Sequence, residues 1–292
     1  MSNYLYTFII PHHNSPELLN RCLDTIPKRS DIQIIVVDDN SEANKKPQII
    51  RESVELVYID EKQTKGAGKA RNEGLARAQG EWLLFPDCDD CYSEGFLGIL
   101  DKYTKHDIDV LYFNAAYRDG HTGELIKDVS FKKYIDSYDG SQIATDKVKY
   151  KNNVPWSKMV RREFVSKNNI KFEEVPNGND ILFSMMVAYY STKIEVDSFV
   201  VYNYYKNPGS IISKRKTTQE MLCVLQHRMQ QNYLFRFLGY PGWTISVNKF
   251  VYIYARQYGI PFIVAFINKF ISLYSKRKDW VNMLLSSNTL SN

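Results

Sequence analysis

The chain has 292 residues, 44% hydrophobic and 24% charged, an ordinary globular composition with room for a sizeable core. Its net charge of +5 is uneven: from Ile211 onward eleven Lys and Arg are opposed only by Glu220 and Asp279, so the rest of the chain is net acidic. A basic module that docks on an anionic partner, membrane lipid or nucleic acid, is the expectation from such asymmetry.

The first residues, MSNYLYTFIIPHHN, hold only a short apolar run with no basic segment before it, so no secretory signal is read there. Cys22, Cys88, Cys91 and Cys223 are then expected as free thiols in a reducing cytoplasm. No uninterrupted apolar run approaches the length of about 20 residues that a spanning helix needs, and no transmembrane helix is expected.

In chain order, Tyr4 to Ile10 reads as a buried strand stopped by Pro11. Ser15-Pro16-Glu17 reads as a helix start, with Ser as N-cap and Pro in the first turn. Leu18, Leu19, Cys22, Leu23 and Ile26 share one face of that helix. Ile32 to Val37 is a β-branched strand that stops at Asp38-Asp39-Asn40-Ser41. A helix is expected over Pro47 to Ser53, a strand over Leu56 to Ile59, a helix over Gly68 to Ala78, and a strand over Trp82 to Phe85. This last strand runs into Pro86-Asp87-Cys88-Asp89-Asp90.

Beyond it come a helix near Glu94 to Thr104 and a strand over Val110 to Ala115. Residues 116–153 read as polar and irregular. Helices are expected over Trp156 to Asn168 and Asp180 to Tyr190, and a strand over Ile194 to Tyr205. Three helices follow, over Thr218 to Leu238, Thr244 to Tyr258 and Pro261 to Tyr274. Strands alternating with helices predict an α/β fold with a mostly parallel sheet and helices on both faces. Residues 1–212 form the expected catalytic domain, and 213–292 a basic helical extension.

Ligands of such sheets bind beyond the carboxyl ends of the strands. Those ends carry Pro11-His12-His13-Asn14, Asp38-Asp39-Asn40 and Asp87-Cys88-Asp89-Asp90. Three carboxylates in four residues repel one another, and a divalent cation with oxygen ligands relieves this. The alternative for either acidic loop is a solvated turn that caps a helix. Gly66-Ala67-Gly68-Lys69-Ala70-Arg71 opens a helix with two cations, but Gln63 and Ala70 break the Walker pattern. The Cys88/Cys91 spacing lacks the second ligand pair of a zinc site, and His12-His13 lack a third His.

Together these pieces resemble glycosyltransferase family 2, GT-A enzymes that build bacterial capsule, O-antigen and exopolysaccharide. The matching segments are IIPHHN (from Ile9), VVDDNS (from Val36), GAGKARNEGL (from Gly66), GEWLLFPDCDD (from Gly80), WSKMVRREF (from Trp156) and GND (from Gly178). Their order and spacing carry the likeness from Ile9 to about Ile211.

The resemblance implies a GT-A fold and an inverting transfer of sugar from a nucleoside diphosphate, UDP by preference, to a saccharide acceptor that is lipid-linked in some relatives. It implies that Pro11, His13 and Asn14 line the uracil pocket, that Asp39 accepts from the base, and that Arg71 lies near the nucleotide. Asp89 should reach the ribose. Asp90, helped by Asp87, should hold Mn2+ or Mg2+ on the diphosphate, with Asp87, Asp89 and Asp90 as the metal set. Asp180 matches the catalytic base. Tyr204-Tyr205-Lys206-Asn207-Pro208-Gly209-Ser210 resembles a loop that closes over the donor, with Lys206 as its cation.

Bulky apolar residues such as Phe250, Ile253 and Tyr254 alternate with Lys and Arg in the last helices, and Lys276-Arg277-Lys278 follows. That pattern predicts peripheral contact with an anionic membrane, at the inner face of the plasma membrane. Two other classes stay open: a metal-dependent nucleotidyltransferase, which also uses acids, metal and nucleotide, and a basic nucleic-acid-binding protein, for which no motif appears.

Overall fold

The computed structural model describes residues 4–49, 51–59, 66–175, 177–207 and 217–275. Its strands are β1 (Tyr6–His12), β2 (Ile32–Asp38), β3 (Val54–Tyr58), β4 (Trp82–Leu84), β5 (Cys91–Tyr92), β6 (Val110–Asp119), β7 (Leu125–Asp128), β8 (Lys158–Arg161) and β9 (Ile194–Lys206). They form one sheet in the order β3-β2-β1-β4-β8-β6-β9-β5, with β7 paired to β6. β1 runs parallel to β2 and β4, β2 to β3, and β6 to β9. β8 is antiparallel to β4 and β6, β5 to β9, and β7 to β6. β1, β2, β3, β4, β6 and β9 therefore share one direction, the mostly parallel sheet expected from the sequence.

The helices are α1 (Pro16–Thr25), α2 (Ala67–Arg77), α3 (Phe96–Asp101), α4 (Lys132–Asp136), α5 (Gln142–Lys151), α6 (Arg162–Lys167), α7 (Asn179–Tyr190), α8 (Thr218–Phe237) and α9 (Val247–Ser275). β1 and β2 are buried along their whole length because helices cover both faces. That is why they read as unbroken apolar runs rather than alternating ones. Tyr6, Phe8, Trp82, Phe85, Phe96, Tyr112 and Phe113 are fully buried at the centre. α1 docks by Leu19, Cys22 and Leu23, as its apolar face predicts.

Four local expectations differ from what forms, each for a tertiary reason. No helix covers the described residues of 47–53; a short 3-10 turn at Ala43–Lys45 leads toward β3 instead. Arg51 is occupied with the end of α1, donating to the carbonyls of Leu23, Ile26 and Pro27. Residues 156–168 are not one helix: Lys158–Arg161 complete the sheet between β4 and β6, and only α6 follows. Sheet pairing overrides local propensity there. Residues 116–153 are ordered, since β6 runs on to Asp119 and is followed by β7, α4 and α5. Ser15 does not cap α1 with its side chain; its hydroxyl donates to the carbonyl of His13 instead.

α8 opens with a capping box in which Thr217 and Glu220 satisfy each other's backbone N–H groups. Its Leu234 and Phe235 enter the main core, whereas Met221 and Leu225 pack with Phe262 of α9. The expected boundary between residues 212 and 213 lies outside the described residues. α9 joins the two expected helices, with a break at Gly259 (φ 72°, ψ −160°) just before Pro261. A left-handed φ suits Gly, and Pro adds a second reason for the kink.

The segment Pro241–Ser272 has a mean hydropathy of 1.4 over its best window and is long and apolar enough to cross a bilayer by length and composition. Lys249, Arg256 and Lys269 interrupt it, so it is not the unbroken apolar run that the sequence reading asked for.

Candidate active site

The carboxyl ends of β1, β2 and β4 meet on one side of the sheet, and a frame of buried hydrogen bonds fixes them. His12 and Asp38 are both buried, with His12 Nδ1 2.8 Å from Asp38 Oδ1. The Ser15 N–H donates to His12 Nε2 at 3.2 Å, so Nδ1 carries the proton toward Asp38. The Ser41 hydroxyl and N–H also donate to Asp38. His12 is thus a structural histidine. Asn14 ties the same two loops, its N–H donating to the Ser41 hydroxyl and its Oδ1 accepting from the Glu42 N–H. Asn14 and Asn40 both adopt φ 55°, a conformation that short amide side chains tolerate. Pro11 lies buried in β1, and the exposed His13 places its Nδ1 2.8 Å from the Asp39 carbonyl.

Asp39 differs from Asp38. One oxygen accepts from the Gly66 N–H at 2.8 Å, at the start of α2. The other, Oδ1, is buried with no hydrogen-bond partner among the described residues. A buried carboxylate oxygen left unpaired is costly, and a ligand donor would satisfy it. Asp39 therefore partly neutralises the positive N-terminal end of α2. Lys69 pairs with Glu73 at 2.9 Å.

The acid loop after β4 divides in the same way. Asp90 is fully buried, and both its oxygens are taken: the Tyr202 hydroxyl donates at 2.9 Å and the Tyr205 N–H at 2.7 Å. Burial and then the charges of Asp89 and Asp87 push its carboxyl well above the usual range. Asp90, expected to hold the metal, thus has its carboxylate engaged in holding β9 against the loop. Asp87 and Asp89 remain. Burial and then the Asp87 charge raise the Asp89 carboxyl, while the Asn207 amide and Arg21 act in the other direction. Asn207 Nδ2 reaches the Asp89 carbonyl at 3.2 Å, and Arg21 donates to the same carbonyl.

Arg71 joins this loop to the start of α7. It is buried, donates through Nη2 to Asp87 Oδ1 at 2.5 Å and through Nη1 to Asn179 Oδ1 at 2.8 Å, and lies 5.3 Å from the Phe172 ring centroid. Asn179 begins α7, so Asp180 is carried to the same cation. Burial raises the Asp180 carboxyl; the Arg71 charge lowers it and the Asp87 charge raises it.

Lys206 is not in a loop: it is the exposed last residue of β9, its carbonyl accepting from the Gly120 N–H. Pro208-Gly209-Ser210 lie outside the described residues. Cys88 and Cys91 are free, and burial raises both thiols, so neither is poised as a thiolate.

The sequence reading passed over Tyr202, Arg21, Asn207 as a side chain, and the pair His227–Glu173. Tyr202 meets Asp90 across 112 positions, a distance no local pattern spans. A row of aromatics runs from this point: Tyr202 stacks on Trp156 (5.0 Å), Trp156 on Tyr204 (5.9 Å) and Tyr204 on Tyr117 (5.1 Å).

Among the described residues no three His, Cys, Asp or Glu side chains converge as a ready metal set. Asp87 and Asp89 nonetheless fit Mn2+ or Mg2+, which is often held by one or two carboxylates and takes its other ligands from water and substrate phosphate.

Comparison with known proteins identifies the scaffold. The model of glycosyl transferase family 2 matches residues 7–168. The chain is 22% identical over 252 residues to the uncharacterized glycosyltransferase YibD of Escherichia coli, covering 80% of this chain and 73% of that one. It is 26% identical over 226 residues to the poly(ribitol-phosphate) beta-N-acetylglucosaminyltransferase TarS of Staphylococcus aureus, covering 74% of this chain but 38% of TarS. In structure it resembles S. aureus TarS 1-349 in complex with UDP-GlcNAc, with a TM-score of 0.66 at 21% identity over 92% of this chain and 80% of that one. It also resembles the mannosyltransferase PcManGT of Pyrobaculum calidifontis in complex with GDP-Man and Mn2+, with a TM-score of 0.53 at 15% identity over 98% and 86% of the two chains. The acids gathered at the strand ends thus sit on a GT-A scaffold, and the family match extends over more than half of the chain. The protein belongs to glycosyl transferase family 2 and is a glycosyltransferase.

Proposed function

We propose that the chain is an inverting, metal-dependent transferase that moves a sugar from a nucleoside diphosphate, UDP by preference, to a saccharide acceptor in cell-surface polysaccharide synthesis. The observation that carries this reading is Arg71, which bridges Asp87 of the acid loop and Asn179 beside Asp180. One cation thereby holds the donor-side acids and the base in register.

Asp39 accepts an N–H of the base through its unpaired Oδ1, in a pocket walled by Pro11 and His13. Asp89 and Asp87 face the ribose and diphosphate and would hold Mn2+ or Mg2+. When bound, that ion supplies positive charge to the departing diphosphate. Asp180 takes the proton of the acceptor hydroxyl as its oxygen attacks the anomeric carbon. The bond from that carbon to the diphosphate oxygen breaks, and the single displacement inverts the centre. A base raised by burial is the stronger for it. Tyr204 and Tyr117, the half-buried members of the aromatic row, offer a sugar an apolar wall.

The thermal midpoint should rise with UDP and Mn2+ more than with GDP or dTDP, and that rise should vanish in Asp89→Ala. Asp180→Asn should keep the rise and lose about 10²- to 10⁴-fold in turnover. Full turnover in Asp180→Asn sinks the assignment of the base.

The C-terminal surface supports peripheral membrane contact, with a polyprenyl-linked acceptor as one consequence. Tyr252, Ile260, Val264, Ile267 and Ile271 are exposed along α9, beside Lys249, Arg256 and Lys269. No acid lies between Met221 and Lys278. Flotation with anionic vesicles should fall in a variant with Ile260, Ile267 and Ile271 changed to Ser. Undiminished flotation would refute the contact.

A further inference from the structure

His227 on α8 is buried, and its Nε2 lies 2.6 Å from Glu173 Oε2. The donor-site residues described above use neither group. The other ring nitrogen, Nδ1, is buried without a partner among the described residues. The ring edge that carries it lies on Gly178: a Cβ there would fall 2.5 Å from Nδ1 and 2.9 Å from Cε1. Gly178 also has φ 75°, so its glycine is required by conformation and by space. Two residues later comes Asp180.

Hydrogen bonds join the described residues on either side of the turn under the imidazole. The Glu173 N–H donates to the Asn179 carbonyl at 3.2 Å, and the Ile181 N–H to the Gly178 carbonyl at 3.1 Å. α2 holds the loop from the opposite side. Gly68 lies so close that a Cβ would sit 2.0 Å from the Glu173 carbonyl oxygen, and Arg71 grips Asn179. From α8, His227 reaches this loop through its hydrogen bond to Glu173. A carboxylate that accepts from a buried ring N–H is held in angle as well as distance.

We propose that His227 and Glu173 are positioning residues for Asp180, through which the C-terminal helices set the geometry of the catalytic loop. α8 is then a working part of the site rather than an appendage. This rests on the reading of Asp180 as the base. Its chemistry is mechanical: no proton leaves the pair during turnover, and the hydrogen bond keeps segment 173–181 in place.

The test compares His227→Phe, which keeps a ring but loses the donor, with His227→Gln, whose amide N–H₂ can reach Glu173. In the full chain, hydrogen exchange of amides 173–181 should speed at least tenfold in the Phe variant and return toward wild type in the Gln variant. Exchange in β1 and β2 should not change. The UDP–Mn2+ thermal shift should be the same in all three proteins. Release of UDP from UDP-GlcNAc, with water or saccharide as acceptor, should show kcat lower by up to about a hundredfold in the Phe variant at unchanged donor KM.

Adding His227→Phe to Asp180→Asn should cost nothing further, because the pair acts through Asp180. Unchanged exchange over 173–181 in the Phe variant overturns the proposal, and so does an equal loss of protection in Phe and Gln. Full turnover in Asp180→Asn would instead remove the base assignment and leave the loop restraint to be judged by exchange alone.

Discussion

The two acidic loops look alike in sequence and differ in what the fold does with each carboxylate. After β2, Asp38 is locked by His12 and Ser41, and its neighbour Asp39 keeps one oxygen unpaired. After β4, Asp90 is locked by Tyr202 and the Tyr205 backbone, while Asp89 and Asp87 stay at the open side with Arg71. In each loop one acid is spent as frame so that another can be presented. The order is reversed: the frame acid comes first in one loop and last in the other. Position within a cluster of acids therefore says little about role, and the partner that reaches each carboxylate says most.

Substitution separates presented from framing acids. The largest effects fall on the presented pair: Asp87→Ala and Asp89→Ala should each lower turnover about a hundred- to a thousandfold. Metal-dependent stabilisation by UDP should be lost in both, with a native circular dichroism spectrum. Wild-type kinetics in Asp89→Ala would erase the distinction from Asp90.

The framing acids should fail by a different measure. Asp38→Ala strands the Nδ1 proton of His12, and Asp90→Ala strands the Tyr202 hydroxyl and the Tyr205 N–H. Each should cost about 2–3 kcal/mol in a urea titration. If Asp90→Ala is as stable as wild type, the frame reading of that carboxylate is wrong.

A smaller change is expected at Asp39→Asn. The amide oxygen can still accept from the Gly66 N–H, but a donor replaces the unpaired oxygen. UDP affinity should weaken about tenfold, or about 1.4 kcal/mol, with stability unchanged. Calorimetry with UDP reads this directly, and equal affinity would leave the unpaired oxygen without a ligand role.

The least effect is a displacement along the pH axis. As the proposed base, Asp180 would act deprotonated, so kcat should fall as pH drops through its pKa. Burial raises that pKa, and the acid limb should lie above the usual carboxylate value of about 3.9. A limb at the ordinary value would mean that water reaches the carboxyl freely during turnover.

Much of this was legible in the sequence because it is local. β-branched runs, Pro16 at the start of α1 and the acids at strand ends placed the sheet and its functional edge, and the ordered segments carried the family likeness. The illegible parts were those that another element decides. Lys158–Arg161 looked helical until β4 and β6 claimed them as a strand. Arg51 left a helical pattern to satisfy the carbonyls at the end of α1.

The sequence by itself determined an α/β chain with acids at the strand ends, a basic tail, and the ordered segments of a glycosyltransferase family. Only the tertiary structure decided which acids are frame and which are presented, that Arg71 spans from Asp87 to Asn179, and that His227 rests on the turn before Asp180. The reason is physical. A strand end is fixed by the residues on it, whereas the state of a carboxylate depends on burial and on a donor that arrives from far along the chain.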